Sequence, residues 1–156
     1  MAEKALLFLH LLASLWLVAG LTAVMLPLVR SWSVEELSLQ VLAIEEAHHY
    51  QGLLLIPGTV AAGATGAFYW AQAGYNLFAT GWLLALGLLY LLVLLVCLPL
   101  IGIGLRRLRL AALQAAREGS PTPELAEALA DRVPLVFGGL AFLALPVLVA
   151  LSVFGP

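Results

Sequence analysis

The chain is expected to fold as an all-α integral membrane protein: a four-transmembrane-helix bundle with amphipathic inner-side helices and both termini outside. Three observations predict this. The 156 residues are 63% hydrophobic and only 10% charged, whereas a soluble domain carries about 25% charged residues. The apolar residues fall in runs long enough to span a bilayer, which takes roughly 20 residues of helix. The basic residues are sorted: Arg106, Arg107, Arg109, Arg117 and Arg132 all lie in one stretch between two such runs.

The runs place spans at about 5–29, 53–73, 81–104 and 133–154, with inner loops at 30–52 and 105–132, in a single membrane domain over 1–156. None of the four contains Asp, Glu, Lys or Arg. Each can satisfy its backbone internally as a helix, as hydrocarbon demands. The strands of an outer-membrane barrel would alternate apolar and polar residues, and these runs do not. The first run follows Lys4 like a signal peptide. It is too long for a typical h-region and no small-x-small cleavage site is followed by a soluble domain, so it is read as a retained helix.

Orientation follows from the arginines. Positive residues near span ends favour the cytoplasm. Arg30 follows the first span and the other five Arg precede the fourth, against Lys4 alone on the opposite side. The expected setting is a bacterial inner membrane, crossed four times.

The inner loops carry helical patterns of their own. Ser33-Val34-Glu35-Glu36 matches a capping box, with Ser33 as N-cap and Glu36 reaching back. Leu37, Val41 and Ile44 then recur at helical spacing, so 34–50 is expected to be an amphipathic helix, continuous with the second span in one version. Arg106–Glu118 extends the third span past the membrane, with Leu105, Leu108, Leu110 and Leu113 among the arginines. Gly119-Ser120-Pro121-Thr122-Pro123 breaks it, and Thr122 or Pro123 opens a short helix leading to Pro134. The outer connection 74–80 is short, which makes spans two and three an antiparallel hairpin. Pro57, Pro99 and Pro146 are expected to kink their spans. Tyr69, Trp70, Tyr75 and Trp82 gather at the outer end as an interfacial aromatic belt.

Chemistry-bearing residues are few. His10 is ionisable and lies inside a span, where imidazole needs a partner. It can ligate haem iron or copper or zinc, or hydrogen-bond a carbonyl or a hydroxyl such as Ser14. The stretch Glu45-Glu46-Ala47-His48-His49 holds two overlapping Glu-x-x-His spacings, Glu45/His48 and Glu46/His49. Paired with a second such helix, this spacing can hold two metals; alone it reads equally as a solvated helix end. Cys97 is single and sits in an apolar run, so no disulfide framework exists. Gly58, Ala62 and Gly66 repeat every four residues, a stripe that lets membrane helices approach closely. It serves packing within the bundle, a homodimer, or a membrane-complex partner. The absence of an ionisable residue at depth other than His10 weakens a proton-driven transporter. No basic patch with interleaved aromatics suggests nucleic acid.

The first span reads Leu9-His10-Leu11-Leu12-Ala13-Ser14-Leu15-Trp16, then Ala19-Gly20-Leu21. With Tyr50-Gln51-Gly52, Pro57, Gly66, Gly81-Trp82, the Arg-rich inner loop and Val133-Pro134 in order, it resembles a group of small four-helix bacterial membrane proteins. The group includes HemJ-type protoporphyrinogen oxidases, the membrane domain of CopD-type copper-resistance proteins, and the family called domain of unknown function 2269, to which the likeness is greatest. The resemblance implies haem b on a first-span histidine, matched by His10. It does not extend to a third-span lysine, for Trp82-Leu83-Leu84-Ala85-Leu86 has none. Arg30 stands too far along to match the HemJ-type arginine. Met1 and Met25 are the only methionines, too few for a copper relay. Two functional expectations result. One is a haem b protein with a redox-associated role; the other is a cofactor-free accessory or assembly subunit of a larger membrane complex. A porphyrin- or metal-handling enzyme ranks behind both, and the chain is not expected to be an enzyme on its own.

Overall fold

A computed structural model describes residues 2–74, 76 and 79–155 of the chain. Seven α-helices are named here: α1 (Ala2–Ser33), α2 (Leu37–Tyr50), α3 (Ile56–Ala73), α4 (Gly81–Leu92), α5 (Leu98–Glu118), α6 (Pro123–Ala130) and α7 (Val133–Phe154). Two π-helical turns, Gln51–Leu55 and Val93–Cys97, join α2 to α3 and α4 to α5. Among the described residues, four helical stretches are long and apolar enough to cross a membrane: Lys4–Ser33, Leu37–Ala73, Gly81–Glu118 and Pro123–Phe154. Their outward faces are oil, with Leu15, Phe68, Leu95 and Leu143 each about two-thirds exposed. On a soluble protein so continuous an apolar surface would be anomalous; in lipid it is solvated.

Both π turns have the same origin. Pro57 and Pro99 lack a backbone N–H, and a proline ring clashes with the carbonyl four residues back. Widening the preceding turn removes that conflict. The N–H of Ile56 reaches the Gln51 carbonyl and that of Leu98 reaches the Val93 carbonyl, each five residues back. The kinks expected at these prolines therefore take the form of one wide turn. Pro146 remains within a helix, and so does Pro27 in α1.

α1 is the hub. α2, the first π turn, α3 and α7 all pack on it, while α5 packs on α2, α6 and α7, and α4 packs on α7. The most deeply buried side chains include Leu21 and Leu28 of α1, Ile44 of α2, Ile101, Leu105 and Leu108 of α5, and Leu125 of α6. Leu28, Ile44, Leu105, Leu108 and Leu125 lie toward the end of the bundle that carries the arginines, Leu21 and Ile101 further into the spans. Here α5 is amphipathic, with Leu105, Leu108, Ala112 and Ala115 facing inward at helical spacing. Leu110, by contrast, faces outward.

The ends of α5 and α6 form as the sequence indicates. Gly119 closes α5 with a left-handed φ of 68°, a conformation that costs glycine little. The Thr122 hydroxyl caps α6 by accepting from the Leu125 N–H at 3.2 Å. The helix of the first inner loop begins differently from the expectation. Ser33 does not head a capping box; it is still part of α1, and its hydroxyl donates back to the Arg30 carbonyl at 2.9 Å. A serine hydroxyl spent on its own helix is lost to the next one. α2 starts at Leu37 after Glu36, which makes no side-chain cap. Gln40 bridges the break, its amide donating to the Ser31 carbonyl at 2.9 Å.

The expected hairpin of spans two and three is also modified. The two run antiparallel, but α3 leans on α1 and α4 on α7, so close contact between α3 and α4 is sparse. Tyr90 bridges them. Its hydroxyl donates to the Thr59 carbonyl at 2.7 Å, and its ring fills the space beside Gly63.

α1 touches the first π turn and α3 backbone to backbone. A Cβ on Gly20 would stand 2.8 Å from the Leu55 Cα, and one on Gly58 would stand 3.1 Å from the Leu17 nitrogen. The stripe of Gly58, Ala62 and Gly66 is thus used inside the chain, against α1. The partner or homodimer face that the stripe also suggested is occupied by the protein's own first helix.

Gly20→Ala is expected to lower thermal stability in detergent by about 1–3 kcal/mol, the range for overpacking against atoms that cannot yield. Gly139→Ala, where a Cβ meets nothing within 4 Å, is expected to be neutral or slightly stabilising. Melting both variants alongside wild type checks this; equal Tm values would refute the close-contact reading.

Candidate functional site

Two groups of polar side chains lie at opposite ends of the bundle. The first is His10, half-buried on α1. Its Nδ1 lies 3.2 Å from the Thr65 hydroxyl of α3. That hydroxyl donates to the Ala61 carbonyl at 2.7 Å. The same hydroxyl is thus shared between the α3 backbone and the imidazole, and which of the two donates in the His10–Thr65 contact depends on the tautomer. Ser14 serves the backbone instead: its hydroxyl donates to the His10 carbonyl at 2.8 Å and not to the ring. The ring itself rests on Gly66, where a Cβ would come within 2.9 Å of Cε1. Gly66 is thus the seat of the imidazole.

One ring nitrogen is anchored by a partner, as it is in a metal-ligating histidine. The backbone contacts of α1 lie further along, at Leu17 and Gly20, while the His10 ring rests on Gly66. Clefts occur elsewhere, one between α4 and α7 and one beside Gln51.

The second group is at the arginine end. Glu45 of α2 accepts from Arg109 Nε of α5 at 2.8 Å, both side chains about one-third exposed. Arg107 donates to Glu127 of α6 at 2.6 Å and lies 4.0 Å from Asp131. Trp32, at the end of α1, donates its indole N–H to the Leu129 carbonyl at 2.6 Å. Arg132 stacks over the Trp32 ring at 5.5 Å, a cation–π contact. The Glu-x-x-His cluster does not gather: Glu45 is held by Arg109, His49 is exposed, and His48 turns a buried Nδ1 with no hydrogen-bond partner. Among the described residues, no three His, Cys, Asp or Glu side chains converge on one point. Thr65 lies 17 residues beyond His48 along α2 and α3, about 26 Å at the helical rise, so His10 and the histidine pair are separate places.

The family described as predicted integral membrane protein (DUF2269) matches residues 4–156. The chain belongs to the DUF2269 family. No curated protein and no solved structure matches it.

In this DUF2269 protein, the polar groups set between helices act as ties between its own elements. His10 links α1 to α3, Glu45–Arg109 links α2 to α5, Arg107–Glu127 links α5 to α6, and Trp32 links α1 to α6. Thr65 is the site residue that reading the chain misses. The available signal was a hydroxyl in the small-residue run Gly63-Ala64-Thr65-Gly66, but its partner stands 55 residues away. Of the outer aromatic belt, Trp82 lies against Gly155 at the end of α7; Tyr75 is outside the described residues.

Single substitutions His10→Ala and Thr65→Val are each expected to lower the melting temperature, and together to cost less than their sum. Interhelical hydrogen bonds in lipid couple by about 0.6 kcal/mol on average and up to about 1.7. A double-mutant cycle measured by thermal unfolding in detergent reads this coupling, and strict additivity would sink the assignment.

Proposed function

We propose that this small integral membrane protein is a cofactor-free accessory or assembly subunit of a larger membrane complex. One observation carries the reading. The ionisable side chain lodged between its spanning helices, His10, is engaged by Thr65 and seated on Gly66, in the role of a helix-to-helix tie. The haem b reading would place iron on Nε2 of that same imidazole. With the glycine stripe used internally, a partner would meet the outward apolar faces or the helical cap of α2, α5 and α6.

We further infer that the arginine end faces the cytoplasm, in a bacterial inner membrane, with both termini outside. What supports this is the gathering of Arg30, Arg106, Arg107, Arg109, Arg117 and Arg132 toward one end of the bundle, with the positive-inside rule. Fusions to a phosphatase that folds only outside the cytoplasm test it. Activity is expected after Phe154 and not at Ser120; the reverse pattern would invert the orientation.

The deciding experiment is a reduced-minus-oxidised absorption spectrum, with metal analysis, on protein purified in mild detergent from cells supplied with haem. The expected result is a flat spectrum, identical in His10→Ala, and a partner present in stoichiometric amount. A Soret band that His10→Ala abolishes would overturn the proposal in favour of a haem protein. Recovery as a homogeneous, partner-free species would count against the accessory role.

A further inference from the structure

Because α3 and α4 stand apart, a cleft of about 410 Å³ opens between the first π turn and the α4–α5 rod. Its two ends differ in chemistry. Toward the arginine end stand Gln51 and Arg106; beyond them the walls are Ile56, Leu94, Leu98 and Ile103. From Arg106 to Leu94 is about 18 Å along the helix axis. That is close to one leaflet of a hydrocarbon core roughly 30 Å thick.

Among the described residues, neither polar side chain has a hydrogen-bond or ion-pair partner. Gln51 is only 8% exposed, and among the described residues it makes no side-chain hydrogen bond. Its amide lies over Gly102, whose missing side chain leaves the room: a Cβ there would meet Nε2 at 2.7 Å. Arg106 makes no ion pair among the described residues, although Arg107 and Arg109 on either side are both paired, with α6 and α2. The rotation of α5 aims Arg106 alone at the cleft. A wide π turn at the same place fits too, since such turns recur at functional sites.

We propose that this cleft binds an anionic phospholipid of the leaflet at the arginine end. The phosphate pairs with the Arg106 guanidinium, a phosphate or ester oxygen accepts from the Gln51 amide, and one acyl chain lies along Ile56, Leu94, Leu98 and Ile103. A guanidinium matches phosphate geometry, and basic pockets between spanning helices suit anionic headgroups.

The test is native mass spectrometry of the full chain in neutral detergent, titrated with phosphatidylglycerol or with phosphatidylcholine of the same acyl chains. One phosphatidylglycerol per chain is expected, preferred by at least about fivefold, in line with the energy of one arginine near an anionic headgroup. Arg106→Gln is expected to erase the preference. Gln51→Leu is expected to weaken both lipids, and Arg117→Gln, on the same helix but away from the cleft, to change neither. All three variants are melted to show that they fold. Equal binding of the two lipids would overturn the proposal. So would equal losses in Arg106→Gln and Arg117→Gln, which would indicate a diffuse basic surface. Displacement of the lipid by inorganic phosphate would reduce the site to an anion contact and also overturn it. So would a change of oligomeric mass in the cleft variants without lipid binding, which would assign the cleft to a second copy.

Discussion

The contact between α1 and α3 sets the terms for everything else. In hydrocarbon there is no hydrophobic drive to push one apolar helix against another, because lipid tails are as apolar as leucine. Association must come from close packing and polar links. Gly20 and Gly58 remove the side chains that would hold the two backbones apart, and dispersion between many atoms at contact distance replaces the absent driving force. Gly66 opens a further gap into which His10 fits. Thr65, one position before it, then lies within reach of the imidazole. The histidine tie is a product of that proximity, and α3 is displaced from α4 by the same preference.

Elsewhere in the molecule the solvent changes and so does the rule. The arginine-bearing end meets water and headgroups, and there the hydrophobic effect operates. The most completely buried leucines and isoleucines are concentrated there, under α2, α5 and α6, with ion pairs around them. Such pairs contribute little each, about 1 kcal/mol or less at this exposure, so they set the rotation of α5 more than its stability. That rotation decides which arginine is spent on which neighbour and which is left facing the cleft.

What was legible in the chain was whatever is local or compositional. The four spans, the break at Gly119, the Thr122 cap and the sorted arginines follow from short stretches of sequence. The small-residue stripe was legible as a close-packing face, but not which helix it faces, since periodicity says nothing about partners. Ser33 misled because a serine near a helix end has two outlets for its hydroxyl, the helix behind and the helix ahead. The choice depends on how far α1 continues. Thr65 and Gln51 were out of reach because their neighbours stand far along the chain. For Pro57 and Pro99 the disturbance was readable, and its form, one wide turn each, was not.

Those wide turns have a consequence for how the long rods are read. A π turn holds one residue more than the α-helix around it. Residues before and after it therefore do not share one helical wheel; the faces are offset by about one residue step, some 100°. The first rod carries its offset between α2 and α3, the second between α4 and α5. The two sections can present apolar stripes in different directions while remaining one unbroken helix. A single inserted residue acts here as a phase shifter, letting one continuous strut satisfy two solvents that ask for different surfaces.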